Sequence, residues 1–560
     1  RHGDLPGVID KVKENVYPPE LLEVAPNQRV KGTQATKETV DTIIKVAAIK
    51  PEERQRQTQH LAKLLQLSSR STTQLGVSIP ANQQQLEVPA RTLPPVSLQG
   101  GARDTLSGPS WRGSPKFVVG AAVQKWAALL IYNSHAQFPR DPVVVFNGFI
   151  QMMVSSGRAR GMHMPEPAVK DKFDVRSNVE SAITETIKKA AEAGCEFILV
   201  ISDKDVRRHD QLKHEELMYR ITTQEVTLQV AAKVVNERKM QTLENILLKT
   251  NAKMRGINHV LADDKSVIHS FSTCFMGIFV QAPSRMSARE IEEGARPSMP
   301  AVIGMSVNNG YADSNEEARR EAAGKQYFTT RWQYAHPVEW KKGELQRDTM
   351  KKMVKEALKL FNGNRERIPE RVIVYRGGIC EGQFPYIASV ERDLFQEAFD
   401  ELRKDYNPNL IIIGATKDHN ERFFYKEFPR SVPGQRLVDT NLPAGTVVDT
   451  VAVNPELNEF FLQSHKTLQG TAKATKYTIL HETSSELNMD KIQQMTHSLC
   501  HLHQVVNSTT SIPTPLYVAE ESAKRGVNLY HHQRAASDGY NLDEVNTALG
   551  SGDCSARINA

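Results

Sequence analysis

Val372-Ile373-Val374-Tyr375-Arg376-Gly377-Gly378-Ile379-Cys380-Glu381-Gly382-Gln383-Phe384 decides how this chain is read. Its first four residues form an apolar run with the character of a buried strand. A helical pattern at 389–404 and a second apolar strand, Leu410-Ile411-Ile412-Ile413, follow it. Strand, helix and strand in that order mark an α/β core.

Working outward, Val302-Ile303-Gly304-Met305-Ser306-Val307, Thr329-Thr330-Arg331-Trp332-Gln333-Tyr334 and a helix at 348–362 precede the stretch. Antiparallel strands followed by strand–helix–strand is the order of an RNase H-like core. Between 117 and 258 strands and helices alternate. Val143-Val144-Val145-Phe146 and Phe197-Ile198-Leu199-Val200-Ile201 read as buried parallel-type strands, with helices at 178–193 and 224–236, which predicts an open α/β unit. Nearer the start, residues 1–30 are short and broken and end in an extended strand, Tyr17 to Val24. Helices are expected at 36–49 and 52–67, the second with Pro51 in its first turn and an apolar stripe of Leu61, Leu64 and Leu65. Residues 74–114, rich in Gln, Pro, Gly and Ser, read as an extended linker lying on a surface. The last 28 residues, from Gln533, are polar and read as loop, and no internal repeat is visible.

A chain of 560 residues is too long for one core and predicts three or more packed units. The composition, 39% hydrophobic and 24% charged, is that of an ordinary soluble globular protein. No run approaches a membrane-spanning helix, so no membrane partner is expected, and the charged, Pro-containing start does not read as a signal peptide. A start at Arg1-His2-Gly3 without an initiator Met reads as a fragment or a trimmed chain. Five scattered cysteines without a CxxC pair point to a reducing compartment, with neither a zinc site nor a disulfide framework. The net charge of +6 permits a polyanionic partner without demanding one.

The opening stretch resembles the Y-R-D-G-x-x-E-G-Q-F signature of the PIWI domain. Downstream, Asn441-Leu442-Pro443-Ala444-Gly445-Thr446-Val447-Val448-Asp449, His465-Lys466-Thr467-Leu468-Gln469-Gly470-Thr471 and Ser511-Ile512-Pro513-Thr514-Pro515-Leu516-Tyr517 resemble three further PIWI segments, in order. The chain thus resembles the Argonaute family along nearly its whole length. The resemblance implies the end of a PAZ domain at 1–30, a second linker at 31–124, a MID domain at 125–258 and a PIWI domain at 259–560. The fold class it implies is α/β, an open-sheet MID domain packed on an RNase H-like PIWI domain with an extended linker. The domains that would precede these lie outside the chain.

A terminal phosphate in a protein pocket needs several cationic or N–H donors converging on it, because an uncompensated buried dianion is prohibitively costly. Lys249 and Lys253 sit at i and i+4 on one helical face. The resemblance assigns them to the guide 5′-phosphate, along with Gln229 and Arg525. His214 falls where a Tyr normally stacks on the first base, and Met218 where a Lys normally contacts the phosphate. Val505 replaces a further Arg. Read without the family, Lys249 and Lys253 would be a solvated helix face.

An RNase H-like slicer needs carboxylates holding two Mg²⁺ ions about 4 Å apart across the scissile phosphate. In the family pattern Phe279 and Gly377 replace two of those acids, and Glu520 takes the closing His or Asp position. The acid that enters from a loop would lie near Glu344 or Leu345. No catalytic set, metal or cofactor is therefore expected. Lys417, His419 and Arg422 resemble residues that touch guide backbone phosphates, with Lys473, Lys476 and Tyr477 as weaker candidates. The segment His497-Ser498-Leu499-Cys500-His501-Leu502-His503 has metal-like residue types but reads as a packed helix.

The function these resemblances imply is binding of a small guide RNA and silencing of complementary target RNA without cleavage, through partner proteins, in the cytoplasm or the nucleus. The alternatives are a slicer with a rearranged set such as Glu344, Glu381 and Glu520, and an interaction module that no longer loads RNA. The dead site together with His214 and Met218 most resembles the worm-specific Argonautes that carry secondary small RNAs. The open space at Met218 further implies tolerance of, or preference for, a 5′-triphosphorylated guide.

Overall fold

A computed structural model describes residues 8–9, 16–18, 22–23, 36–66, 69–76, 85–102, 104–175, 179–203, 206, 208–262, 267–284, 286–294, 297, 299–309, 328–335, 347–429, 440–536 and 546. The chain divides into two compact units, one of residues 1–83, 430–440 and 468–471, the other of everything else.

In the smaller unit, β1 (Val8–Ile9) and β2 (Val16–Tyr17) pair antiparallel. Strand character thus ends at Tyr17, and Leu22–Glu23 of the expected exit strand are irregular. Helix α1 (Lys37–Ala47) starts where the Thr36 hydroxyl accepts from the Thr39 N–H, and α2 (Pro51–Leu64) starts on its proline. The leucine stripe does not form a buried face: Leu61, Leu64 and Leu65 are all exposed, and Pro51 is the buried residue of α2.

The larger unit begins with β3 (Arg91–Thr92), β4 (Ser97–Gly100) and β5 (Thr105–Ser107). Next come β6 (Trp126–Tyr132), α3 (Pro142–Ala159), β7 (Val169–Asp174), α4 (Val179–Glu192) and β8 (Phe197–Ser202). They are followed by α5 (His209–Met218), β9 (Thr222–Thr227), α6 (Leu228–Glu237) and α7 (Met240–Lys253). The strands form a parallel sheet in the order β7-β6-β8-β9. Strands β6 and β8 are apolar over nearly their whole length because both faces are covered. Leu130 and Leu199 join one apolar cluster and Leu129 and Val200 another.

The expected strand at Val143–Phe146 is instead the first turn and a half of α3. Asp141 accepts from the Val143 N–H at 2.8 Å and Pro142 opens the helix. Val145, Phe146, Phe149, Ile150 and Met153 are then buried at helical spacing. A four-residue β-branched run is too short to separate the two periods. The helix expected at 224–236 likewise begins only at Leu228, after Thr227 caps it, and Gln224 lies in β9.

The remainder contributes β10 (His259–Leu261), β11 (Thr273–Gln281), β12 (Ala301–Val307), β13 (Thr329–Ala335), α8 (Arg347–Arg365) and β14 (Arg371–Gly377). Then follow α9 (Arg392–Leu402), β15 (Asn409–Thr416), β16 (Thr446–Val448), β17 (Glu459–Gln463), β18 (Thr475–Glu482), α10 (Met489–Leu499) and α11 (Thr514–Ala536). Nine strands make one sheet, β13-β12-β11-β14-β15-β18-β17-β16-β3, in which β11 runs antiparallel to β12 and parallel to β14. One face packs Met353, Phe361, Phe395 and Phe399 of α8 and α9; the other packs Ile492 and Met495 of α10 and Leu516 of α11.

Residues expected as a surface linker enter this core. β3 pairs with β16, β4 pairs with β10, and Leu93, Val96, Leu98 and Leu106 are buried. The alternating burial of β4 was hidden within a polar composition. At the other end α11 continues through Gln533 to Ala536, and the Asn546 side chain exchanges hydrogen bonds of 2.9 and 2.8 Å with the Tyr334 backbone. Both lie in the segment read as loop.

Helix α11 lies directly on β11 and β12 because those strands carry glycine under it. A Cβ on Gly277 would stand 2.1 Å from the Pro515 carbonyl oxygen, and one on Gly304 2.1 Å from that of Ala519. Both neighbours are backbone and cannot step aside. Gly304→Ala is therefore expected to destabilise the larger unit by roughly 3 kcal/mol or more, through overpacking. Chemical denaturation would register this as a lower midpoint at unchanged slope.

Candidate nucleic-acid interface

Three elements remote in sequence bring cations to one place. Helix α5 supplies Lys213, α7 supplies Lys249 and Lys253, and α11 supplies Arg525. Lys253 is 2% exposed, and its ammonium donates to the Thr223 carbonyl at 2.7 Å. Lys213, 3% exposed, donates to the same carbonyl at 3.0 Å, to the Thr223 hydroxyl at 2.9 Å and to Glu216 at 2.5 Å. Lys249 stands at the exposed rim.

The groups perturb one another strongly. Burial, only partly offset by Glu216, brings Lys213 down to about 8. Burial and the neighbouring Lys213 hold Lys253 well below the ordinary lysine value. Burial followed by Arg525 lowers Lys249, and burial lowers Arg525. Glu216 moves the other way: burial alone would raise it, but Lys213, Lys253 and Arg525 pull it to about 2. Lys213 and Lys253 are shielded from water with Glu216 between them, Arg525 is half-buried and Lys249 opens to the surface, an arrangement that can accept a multiply charged anion.

Lys249, Lys253 and Arg525 are thus brought together as the sequence suggested, although Lys253 does not lie on a polar face. The last turn of α7 runs into the protein, burying Thr250, Asn251, Ala252 and Lys253. His214 neighbours Lys213 on α5 and is half-buried, whereas Met218 is 59% exposed at the end of that helix. Gln229 turns elsewhere, its amide donating to Asp203 at 2.8 Å. The glutamine that meets the lysine helix is Gln224, which donates to the Ile246 carbonyl at 3.1 Å and accepts from Thr250 at 3.3 Å. Reading 224–236 as helix concealed Gln224, which lies in β9 with its side chain toward α7. Nothing in local spacing marked Lys213 or Glu216. Val505 is half-buried in the loop after α10.

At the ends of the central strands the positions of two expected acids meet. Phe279 on β11 stands in register with Gly377 on β14, and a Cβ on Gly377 would lie 3.1 Å from the Phe279 ring and 2.8 Å from Leu516. Glu520 on α11 accepts from Lys417 at 2.7 Å and from Lys524 at 3.1 Å. Burial would raise its carboxyl, but these lysines hold it below the usual range. Glu381 is exposed and paired with Lys476 at 2.8 Å. Glu344 and Leu345 lie outside the described residues. Among the described residues no three His, Cys, Asp or Glu side chains are placed to hold a metal ion.

The proposed backbone contacts are partly committed within the protein. Lys417 is held by Glu520, as above. The His419 ring donates to the Ala474 carbonyl at 2.6 Å and lies 2.9 Å from Glu421, and burial lowers its pKa. Arg422 folds back onto the His419 and Glu421 carbonyls at 3.1 and 2.7 Å. Lys473 lies 3.4 Å from Asp418. Two weaker candidates are corrected. Lys476 is buried between Glu381 and Glu459, and Tyr477 is fully buried, stacked on Phe460 at 5.0 Å. They are consecutive in β18 and face opposite sides of the sheet, both covered over the first half of that strand.

His497 lies in α10 and His501 just beyond it, their rings edge-on at 4.9 Å. Burial brings them down to about 3 and about 4, so both are neutral. Trp111 packs edge-on against His259 and face to face with His501.

Residues 196–531 match the Piwi domain family. That match begins within the four-stranded sheet. The chain is 30% identical to Argonaute protein wago-1 of Caenorhabditis elegans over 554 residues, covering 97% of this chain and 55% of that protein. It is equally similar to Argonaute protein wago-4 of the same organism, with 96% and 55% covered. The chain therefore spans about half the length of these curated relatives. Among solved structures, that of Kluyveromyces polysporus Argonaute with a guide RNA superposes with a TM-score of 0.74 at 18% identity, over 98% of this chain and 61% of that one. Drosophila Piwi superposes with a TM-score of 0.68 at 17% identity, over 92% and 63%.

Proposed function

Since the chain belongs to the Argonaute family, we propose that it holds a small guide RNA by its 5′ phosphate and silences complementary RNA without cutting it. The observation that carries this reading is the convergence of Lys249, Lys253 and Arg525, from α7 and α11, around a half-enclosed cationic site. A terminal phosphate is the part of an RNA that offers concentrated charge to such a site, and His214 beside it offers a ring on which a first base can stack. The larger unit then divides into a MID domain around the four-stranded sheet and a PIWI domain around the nine-stranded one. Sequencing RNA recovered with the purified full-length protein tests the reading; random cellular RNA without a uniform length or 5′ end would refute it.

The pairing of Phe279 with Gly377, and of Glu520 with two lysines, supports a protein that acts through partners on its targets. The rearranged slicer is disfavoured because Glu381 and Glu520 are each already neutralised by lysine.

The guide end itself is expected to be tolerated, or preferred, as a triphosphate. An exposed Met218 leaves room at the end of α5 and places no cation there, while Lys249 remains at the rim for additional phosphates. In competition between guides differing only at the 5′ end, the triphosphate is expected to match or exceed the monophosphate, and Met218→Lys to shift the balance toward the monophosphate. Tighter monophosphate binding that Met218→Lys leaves unchanged would refute this.

A further inference from the structure

One buried carboxylate stands among the cations and has no part in the reading above. Glu216 is 4% exposed and accepts from Lys213 at 2.5 Å and from the Thr223 N–H at 3.1 Å. Thr223 in turn receives the ammonium groups of both Lys213 and Lys253 on its carbonyl. One strand residue therefore ties the carboxylate to two lysines.

Other acids act on the outer cations, Asp210 and Glu521 on Arg525 and Glu521 also on Lys249. Glu215 accepts from Thr184 at 2.7 Å, Glu225 from Ser202 at 2.6 Å, and Glu521 from Lys524 at 2.8 Å. Asp210 sits in the exposed first turn of α5. Glu216 is the carboxylate enclosed with Lys213 and Lys253.

We propose that Glu216 is a resident counter-anion of this phosphate site, balancing its cations while the site is empty and limiting how tightly an incoming phosphate is held. The proposal rests on the reading of the cluster as a guide 5′-phosphate site. Like charges brought together out of water repel, and without an anion they give up protons or push the elements apart. Glu216 supplies that anion from within the fold. The arriving phosphate is attracted by the four cations and repelled by the fixed negative charge that Glu216 holds among them. Lys213, bonded directly to Glu216, sets how much of that charge the ligand feels. Glu216 is in this sense an affinity-setting residue, and Lys213 positions and screens it.

The test measures binding of 5′-phosphorylated and 5′-hydroxyl oligoribonucleotides of one sequence to the full-length protein at neutral pH. The ratio of the two dissociation constants reports the phosphate alone. Glu216→Gln is expected to raise that ratio about tenfold, Lys213→Met to lower it by a similar factor, and the double variant, which removes a neutral pair, to return near the unmodified value. A purely structural pair would lower the ratio in both single variants, and that outcome, or no change in either, overturns the proposal. Should Lys213→Met fail to fold, Glu216→Gln and the double variant decide: a lowered ratio in the former overturns it. A ratio near one in the unmodified protein would instead remove the phosphate site itself.

Discussion

Lys249→Ala combined with Arg525→Ala is expected to leave the purified protein nearly free of small RNA. Each side chain contributes a charge-assisted contact of roughly 1.5–3 kcal/mol, so losing both weakens binding by about a hundredfold or more. This pair is chosen because Lys249 lies at the rim and Arg525 is half-buried, whereas Lys253 is enclosed and bonded to the Thr223 carbonyl. Lys253→Ala would remove a partner from buried Glu216 and confuse lost binding with lost stability. RNA recovered per mole of protein, read beside the thermal midpoint, separates the two effects. Undiminished recovery from a folded double variant would place the guide end elsewhere.

The second large effect is an absence of cutting. Loaded with a guide and given a fully matched target in Mg²⁺ or Mn²⁺, the full-length protein is expected to leave that target intact. A two-metal mechanism needs several carboxylates converging on the ions. Here an aromatic ring and a glycine stand side by side on adjacent strands, and the nearby Glu520 already shares its charge with Lys417 and Lys524. A Cβ at Gly377 would crowd Leu516 at 2.8 Å and Phe279 at 3.1 Å, so Gly377→Asp requires both to move. A target cleaved opposite the middle of the guide, with cleavage abolished by Glu520→Ala, would sink this expectation.

The α/β class and the order of the central strands were legible because long apolar runs such as Ile411–Ile413 and Phe197–Ile201 leave few alternatives. Shorter runs misled. Val143–Phe146 looked like a strand until Asp141 and Pro142 were seen to start a helix beneath it. The polar linker concealed Leu93, Val96, Leu98 and Leu106, whose burial depends on partners 150 to 350 residues away, roughly the separations that bring β10 and β16 to them. In the site, the lysines of α7 were visible through helical spacing and a motif. Lys213, Glu216 and Gln224 were not, because their meeting depends on how α5 and β9 pack against α7, which no local pattern encodes. The hydrogen bond of Gln229 to Asp203 was hidden for the same reason.

The ninth strand has a consequence for dissecting the molecule. Arg91–Thr92 leave the chain ahead of the four-stranded sheet, yet they close the far margin of the large one against Thr446–Val447. Ser97–Gly100 likewise cover His259–Leu261. A shortened protein beginning at 259 would retain the Piwi signatures but expose two uncovered strand borders. Such borders offer bare N–H and C=O groups to other chains. Such a shortened protein should therefore clump when expressed, for want of two short strands, Arg91–Thr92 and Ser97–Gly100, that look dispensable in the sequence.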